Sequence, residues 1–169
     1  RTEDLISIKK IVQCPIRVMV RPHSRSFVYN EKDLDEMKKT INLCKEHNFD
    51  GVVFGCLDEN RELDIKKIKY LTDISKPLKV IIHKAIDLTS SPLNSLKKLI
   101  EIKQINGVLS SGGADNAELG LDNLKKMIAI SPNEFEIISA GKITNENLDH
   151  LHEKIQGKFY HGKKIVGKL

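Results

Sequence analysis

One stretch near the middle of the chain gathers residues whose types and spacing could do chemistry: Lys79-Val80-Ile81-Ile82-His83-Lys84-Ala85-Ile86-Asp87. His83 and Asp87 stand four apart, an imidazole and a carboxylate that could share a proton as an acid/base pair or tie down a loop. Lys84 sets a positive charge between them. Other polar clusters also follow short apolar runs: Arg21-Pro22-His23-Ser24-Arg25, Cys56-Leu57-Asp58, Ser110-Ser111-Gly112-Gly113, Ala140-Gly141-Lys142 and His161-Gly162-Lys163-Lys164. Arg21 is fixed in its turn by the following proline and offers charge. Ser111 and Gly112, ahead of a helix, can present backbone N–H groups to an anion, although loop closure alone would also account for the glycines.

These clusters need elements to bring them together. The stretch before His83 is a short apolar run rich in β-branched residues, the pattern of a strand buried on both faces. Similar runs start near residues 16, 51, 107, 135 and 158, and each gap holds an amphipathic helical pattern. Helices are expected over residues 2–12 after a Thr2 cap, 31–47, from an Asp64 cap to Pro77, from Ser91-Pro92 to about Lys103, up to about Ile130, and after a Thr144-Asn145 cap. Strict strand and helix alternation requires right-handed crossovers and a parallel sheet. The regular spacing, with glycines and polar residues after every strand, favours a (β/α)8 TIM-type barrel over an open doubly wound sheet. In such a barrel the residues following the strands share one rim, and Gly141, Lys142 and Gly162 after the last two strands fall where barrels hold phosphate groups. Eight repeats need roughly 250 residues, whereas six strands and a leading helix are legible here. The expectation is one domain, residues 1–169, that lacks the first two strands and first helix of the barrel, with the open sides covered by a preceding segment or another chain.

Composition narrows the functional classes. With 169 residues and 40% apolar content the chain can bury a core of its own. Its 28 Lys plus Arg and 23 Asp plus Glu leave a formal charge of +5. The lysines are interleaved with acids along helical stretches, which reads as solvated helix faces and not as a nucleic-acid footprint. No apolar run approaches the roughly 18 residues that span a bilayer, so no membrane partner is expected. Three cysteines at unrelated spacings argue for a reducing compartment, the cytoplasm. Cys44 sits on the apolar face of a helix and reads as core packing, while Cys14 lies before a strand and so at the opposite rim. Cys56 alone directly follows a strand, and with His83 or His23 it could give a soft metal such as Cu(I) a thiolate and an imidazole.

Several blocks together resemble the CutC family of copper homeostasis proteins: Val18-Met19-Val20-Arg21-Pro22, Phe27-Val28-Tyr29, Asp50-Gly51-Val52-Val53-Phe54-Gly55, His83-Lys84-Ala85-Ile86-Asp87, Leu109-Ser110-Ser111-Gly112-Gly113 and Phe159-Tyr160-His161. They run in order through nearly the whole chain. The resemblance implies a TIM-type barrel, a cytoplasmic homo-oligomer, and a link to copper with Cu(I) bound in some members. The chain departs from the family pattern in three places. It shows no Glu-Leu-Cys block, Lys84 replaces an arginine that could grip an anion bidentately, and Ser139-Ala140-Gly141-Lys142 stands where a triple-glycine loop is usual. The first expectation is thus a copper-homeostasis barrel whose rim binds Cu(I) or a small anionic ligand, with Cys56 as the thiolate source. The alternative is a barrel enzyme acting on a small phosphorylated or carboxylated metabolite with His83 and Asp87 as its acid/base pair. A scaffold that acts by self-association is a third reading.

Overall fold

A computed structural model describes the backbone of residues 2–166 and the side chains of residues 4–166. Six strands and six helices alternate along the described residues: α1 (Thr2–Ile11), β1 (Arg17–Met19), α2 (Glu31–Glu46), β2 (Gly51–Phe54), α3 (Ile65–Ser75), β3 (Lys79–Ile82), α4 (Pro92–Ile100), β4 (Ile105–Ser110), α5 (Leu121–Ile130), β5 (Glu136–Ala140), α6 (Leu148–Ile155) and β6 (Phe159–His161). All six strands are parallel in one sheet, each paired with its neighbours in chain order. A short 3-10 turn, Lys84–Leu88, follows β3 where a plain loop was expected. Among the described residues no helix is long and apolar enough to cross a membrane.

Alternate strand residues face opposite ways, and the two sets differ in kind. Val18, Val52, Phe54, Val80, Ile82, Val108 and Ile137 pack outward against Met37, Ile41, Ile68, Leu71, Leu96, Leu99, Leu124 and Met127 of the helices, all in one buried cluster. Each such side chain contributes roughly 1.5–3 kcal/mol on burial. Met19, Val53, Ile81, Leu109 and Ile138 line the concave face instead. The sheet curls into a half-barrel: Arg17 of β1 reaches across to Glu136 of β5 with a bidentate pair at 2.5 and 2.7 Å, although three strands lie between them.

The helix starts follow local chemistry. Asp64 Oδ1 accepts from Lys67 N–H at 3.0 Å and opens α3 as expected. Asn30 and Asp33 form a reciprocal capping box at the head of α2. The start of α6 differs: Asn147, not Thr144, precedes the helix, because Thr144 N–H donates to Asn147 Oδ1 at 2.8 Å and winds residues 144–147 into a turn. Helix α4 ends at Ile100, short of Lys103. The expected Thr2 side-chain cap lies outside the described residues.

Candidate functional site

The loops after the strands meet at one end of the half-barrel around a cavity of about 600 Å³. Its wall is formed by Met19, Arg21 and Phe27 from β1 and the loop after it, His83 and Lys84 after β3, Leu109 of β4, residues 140–144 from the end of β5 onward, and residues 161–164 from the end of β6 onward. Arg21, His83, Lys84, Gly141, Lys142 and Gly162 therefore share a mouth. Asp87, Ser111, Gly112 and Cys56 stand outside its lining.

Asp87 is turned to the loop that follows β4. One carboxylate oxygen accepts from Ser110 Oγ at 2.5 Å and Gly113 N–H at 2.9 Å, and the other accepts from Ser111 N–H at 2.9 Å. The glycine turn thus does cradle an anion, and that anion is the Asp87 side chain. Lys84 Nζ donates to Ser111 Oγ at 2.5 Å and lies 3.5 Å from Asp87 Oδ2, joining this knot to the mouth. No hydrogen bond or ion pair connects Asp87 with His83 among the described residues.

His83 directly follows β3 and is 3% exposed. Its Nδ1 accepts from Ala85 N–H at 3.2 Å, which caps the 3-10 turn. A backbone N–H can only donate, so a neutral ring must carry its proton on Nε2. Burial, reinforced by the positive charge of Arg21, lowers the pKa of His83 to about 4 and keeps the ring neutral at pH 7. Nε2 is buried and has no partner among the described residues. Phe27 packs on this ring at 4.6 Å between centroids, and the Arg21 guanidinium covers the Phe27 ring at 4.3 Å.

The glycines of the mouth let loops approach one another. Gly141 adopts φ +106°, and a Cβ there would come within 2.8 Å of Ser111 Cβ and 3.0 Å of Asn116 Cα. At Gly162 a Cβ would run into the Ile143 carbonyl oxygen, so the loops after β5 and β6 are in direct contact. Lys142, Lys163 and Lys164 are exposed, and none of them has a carboxylate partner among the described residues.

The donor set fits copper poorly. Cys56 is fully buried in the hydrophobic cluster behind the sheet, and burial pushes its thiol up to about 12, so it is no thiolate at neutral pH. His83 offers no free lone pair on either ring nitrogen. Among the described residues no three His, Cys, Asp or Glu side chains converge as a metal site. His23 faces Asp33 at 3.4 Å over the start of α2, away from Cys56's expected role.

Sequence reasoning missed the part played by Phe27 and by Met19 and Leu109 on the concave wall. The signal for the latter was present: Met19 alternates with Val18 and Val20, so it had to face the side opposite to the helix layer.

The CutC family profile matches residues 3–166. The human copper homeostasis protein cutC homolog is 34% identical over 146 residues, covering 86% of this chain and 53% of that protein. A CutC family protein of Yersinia pseudotuberculosis is 35% identical over 144 residues, covering 83% and 56%. The chain thus spans about half the length of the curated relatives it matches. A crystal structure of a CutC protein from Streptococcus agalactiae superposes with a TM-score of 0.87 at 24% identity, over 97% of this chain and 80% of that one, and supports the barrel-type fold. With a profile that runs through nearly every described residue and relatives above 30% identity across most of its length, this chain belongs to the CutC family.

Proposed function

We propose that this CutC-family chain serves copper homeostasis through a small anionic ligand, a phosphate or carboxylate, held in the mouth of the half-barrel, and not through copper held by Cys56. One observation carries the reading: Arg21, Lys84, Lys142, Lys163 and Lys164 line a single cavity to which, among the described residues, no carboxylate contributes. Of these five, Lys84 alone is paired with an acid among the described residues. Positive groups gathered over a partly apolar wall attract an anion more strongly than the same charges spread in water, and they repel a free metal cation. The three free thiols support work in a reducing compartment, the cytoplasm. The acid/base reading of His83 with Asp87 finds no geometric support, since the carboxylate is committed to the Ser110–Gly113 turn.

Calorimetric titration with inorganic phosphate at low ionic strength tests the proposal. The expected result is saturable binding that weakens as salt shortens the screening length, and that falls at least about tenfold in a Lys142→Ala, Lys163→Ala double variant, which removes two charge-assisted contacts. Equal binding by the wild type and the double variant overturns it.

A further inference from the structure

His83 combines three features that point to a ligand. It belongs to the wall of the mouth while being 3% exposed. Its Nδ1 is occupied by Ala85 N–H at 3.2 Å, which fixes the proton of the neutral ring on Nε2. That Nε2 is buried without an acceptor among the described residues. A buried donor left unpaired bears the full loss of its hydration, and folded proteins rarely tolerate one without a reason. The donor belongs to a residue that lines a cavity already rich in cations.

Resting on the anion reading above, we infer that His83 Nε2–H donates to a carbonyl oxygen of the ligand, so that the mouth selects a small oxo-anion: a carboxylate or phosphate carrying a carbonyl group beside its charge. The lining favours a carbonyl over a hydroxyl. Its charged side chains, Arg21, Lys84, Lys142, Lys163 and Lys164, are all donors, and a ligand hydroxyl would bring one more proton in need of an acceptor, whereas a carbonyl brings none. Nε2 is buried, so a ligand oxygen reaches it only when a neighbouring side chain such as Phe27 turns, a rotamer change ordinary at binding sites. His83 is then a specificity-determining donor of constant charge, because burial keeps it neutral down to pH about 4.

The test uses three probes on the chain: pyruvate, propionate and inorganic phosphate. Pyruvate and propionate share a carboxylate and size and differ in the carbonyl. Pyruvate is expected to bind about tenfold more tightly than propionate, the worth of one good hydrogen bond, and His83→Phe is expected to bind the two alike. A second readout does not depend on the variant's folding: nitrogen NMR of the wild-type imidazole should place the proton on Nε2, and that resonance should move on adding pyruvate and stay in place with propionate. If phosphate binds but pyruvate and propionate bind equally, or if the proton sits on Nδ1, this inference falls while the anion reading stands. If none of the three binds, both fall.

Discussion

Asp87 accepts from Ser110 Oγ and from the N–H groups of Ser111 and Gly113, and these donors lose their acceptor if the carboxylate is changed. Asp87→Asn turns one oxygen into an N–H₂ group facing N–H donors, so it is expected to cost about 1–3 kcal/mol in urea unfolding. The sequence showed that the Ser111-Gly112-Gly113 turn could hold an anion. It could not show that the anion comes from four residues past His83, because spacing does not say which way a side chain turns. Cys56 gives a second check: with its thiol at about 12 and fully buried, a thiol reagent should label Cys14, the exposed cysteine, at once and leave Cys44 and Cys56 unreacted until unfolding. His83 gives a pH signature. Its folded pKa of about 4 lies below the ordinary 6.5, so between those values the unfolded chain binds more protons, and stability falls as pH drops through 6.5 and levels off below 4. The loss is on the order of 3 kcal/mol. Asp33 and Asp50, held below the usual carboxylate range chiefly by backbone hydrogen bonds from Asn30 and Ile16, lose their contribution only below about pH 4, so the higher window is where His83 acts. Urea midpoints at pH 7 and about 5.5, above the range where carboxylates such as Glu62 and Glu118 begin to protonate, should differ in the wild type and differ less in His83→Gln.

The strands and helices were legible because buried parallel strands are short apolar runs and because Asp64 and Ser91-Pro92 punctuate helix starts by hydrogen bonds within one turn. What escaped is decided by contacts between loops. Asn147 replaces Thr144 at the start of α6 through a local turn, and the 3-10 turn after β3 exists because His83 caps it from the strand end. The loops after β4 and β5 illustrate the same dependence. Gly141, at φ +106°, accepts Ala117 N–H on its carbonyl at 3.0 Å and leaves no room for a Cβ beside Ser111. Gly141→Ala combines a disfavoured backbone conformation with a steric push on the Asp87 knot. It is expected to lower stability by more than about 1 kcal/mol and to weaken phosphate binding together with stability, whereas Lys142→Ala should weaken binding alone. Thermal melts read beside phosphate titrations separate the two outcomes.

At the scale of the molecule, the mouth exists only if the sheet stays curled, and the concave face shows what holds the curl. Its two edges, β1 and β6, pair on one side only, and Met19 and Phe159 are half-exposed on the concave side. Apolar packing therefore contributes little between opposite walls there. The link across the opening is Arg17 to Glu136, a fork of two hydrogen bonds with side chains 26% and 12% exposed. Planar guanidinium and carboxylate groups in this arrangement fix both distance and angle, so the pair sets how closely β1 approaches β5. Partial exposure limits its net worth, yet removing one partner strands the other beside Val53, Ile81 and Ile138, where rehydration is incomplete. A double-mutant cycle with Arg17→Met and Glu136→Gln is expected to give a coupling of about 1–2 kcal/mol, and either single change should open the mouth and weaken phosphate binding at the far end of the strands. Hydrogen exchange reports the same mechanics: amides of β3 and β4, paired on both sides, should exchange last, and β1 amides should speed up most in Glu136→Gln. If β1 keeps its protection in that variant, the brace does not hold the curl, and the outward packing of Val18 and Val20 against the helix layer must do so instead.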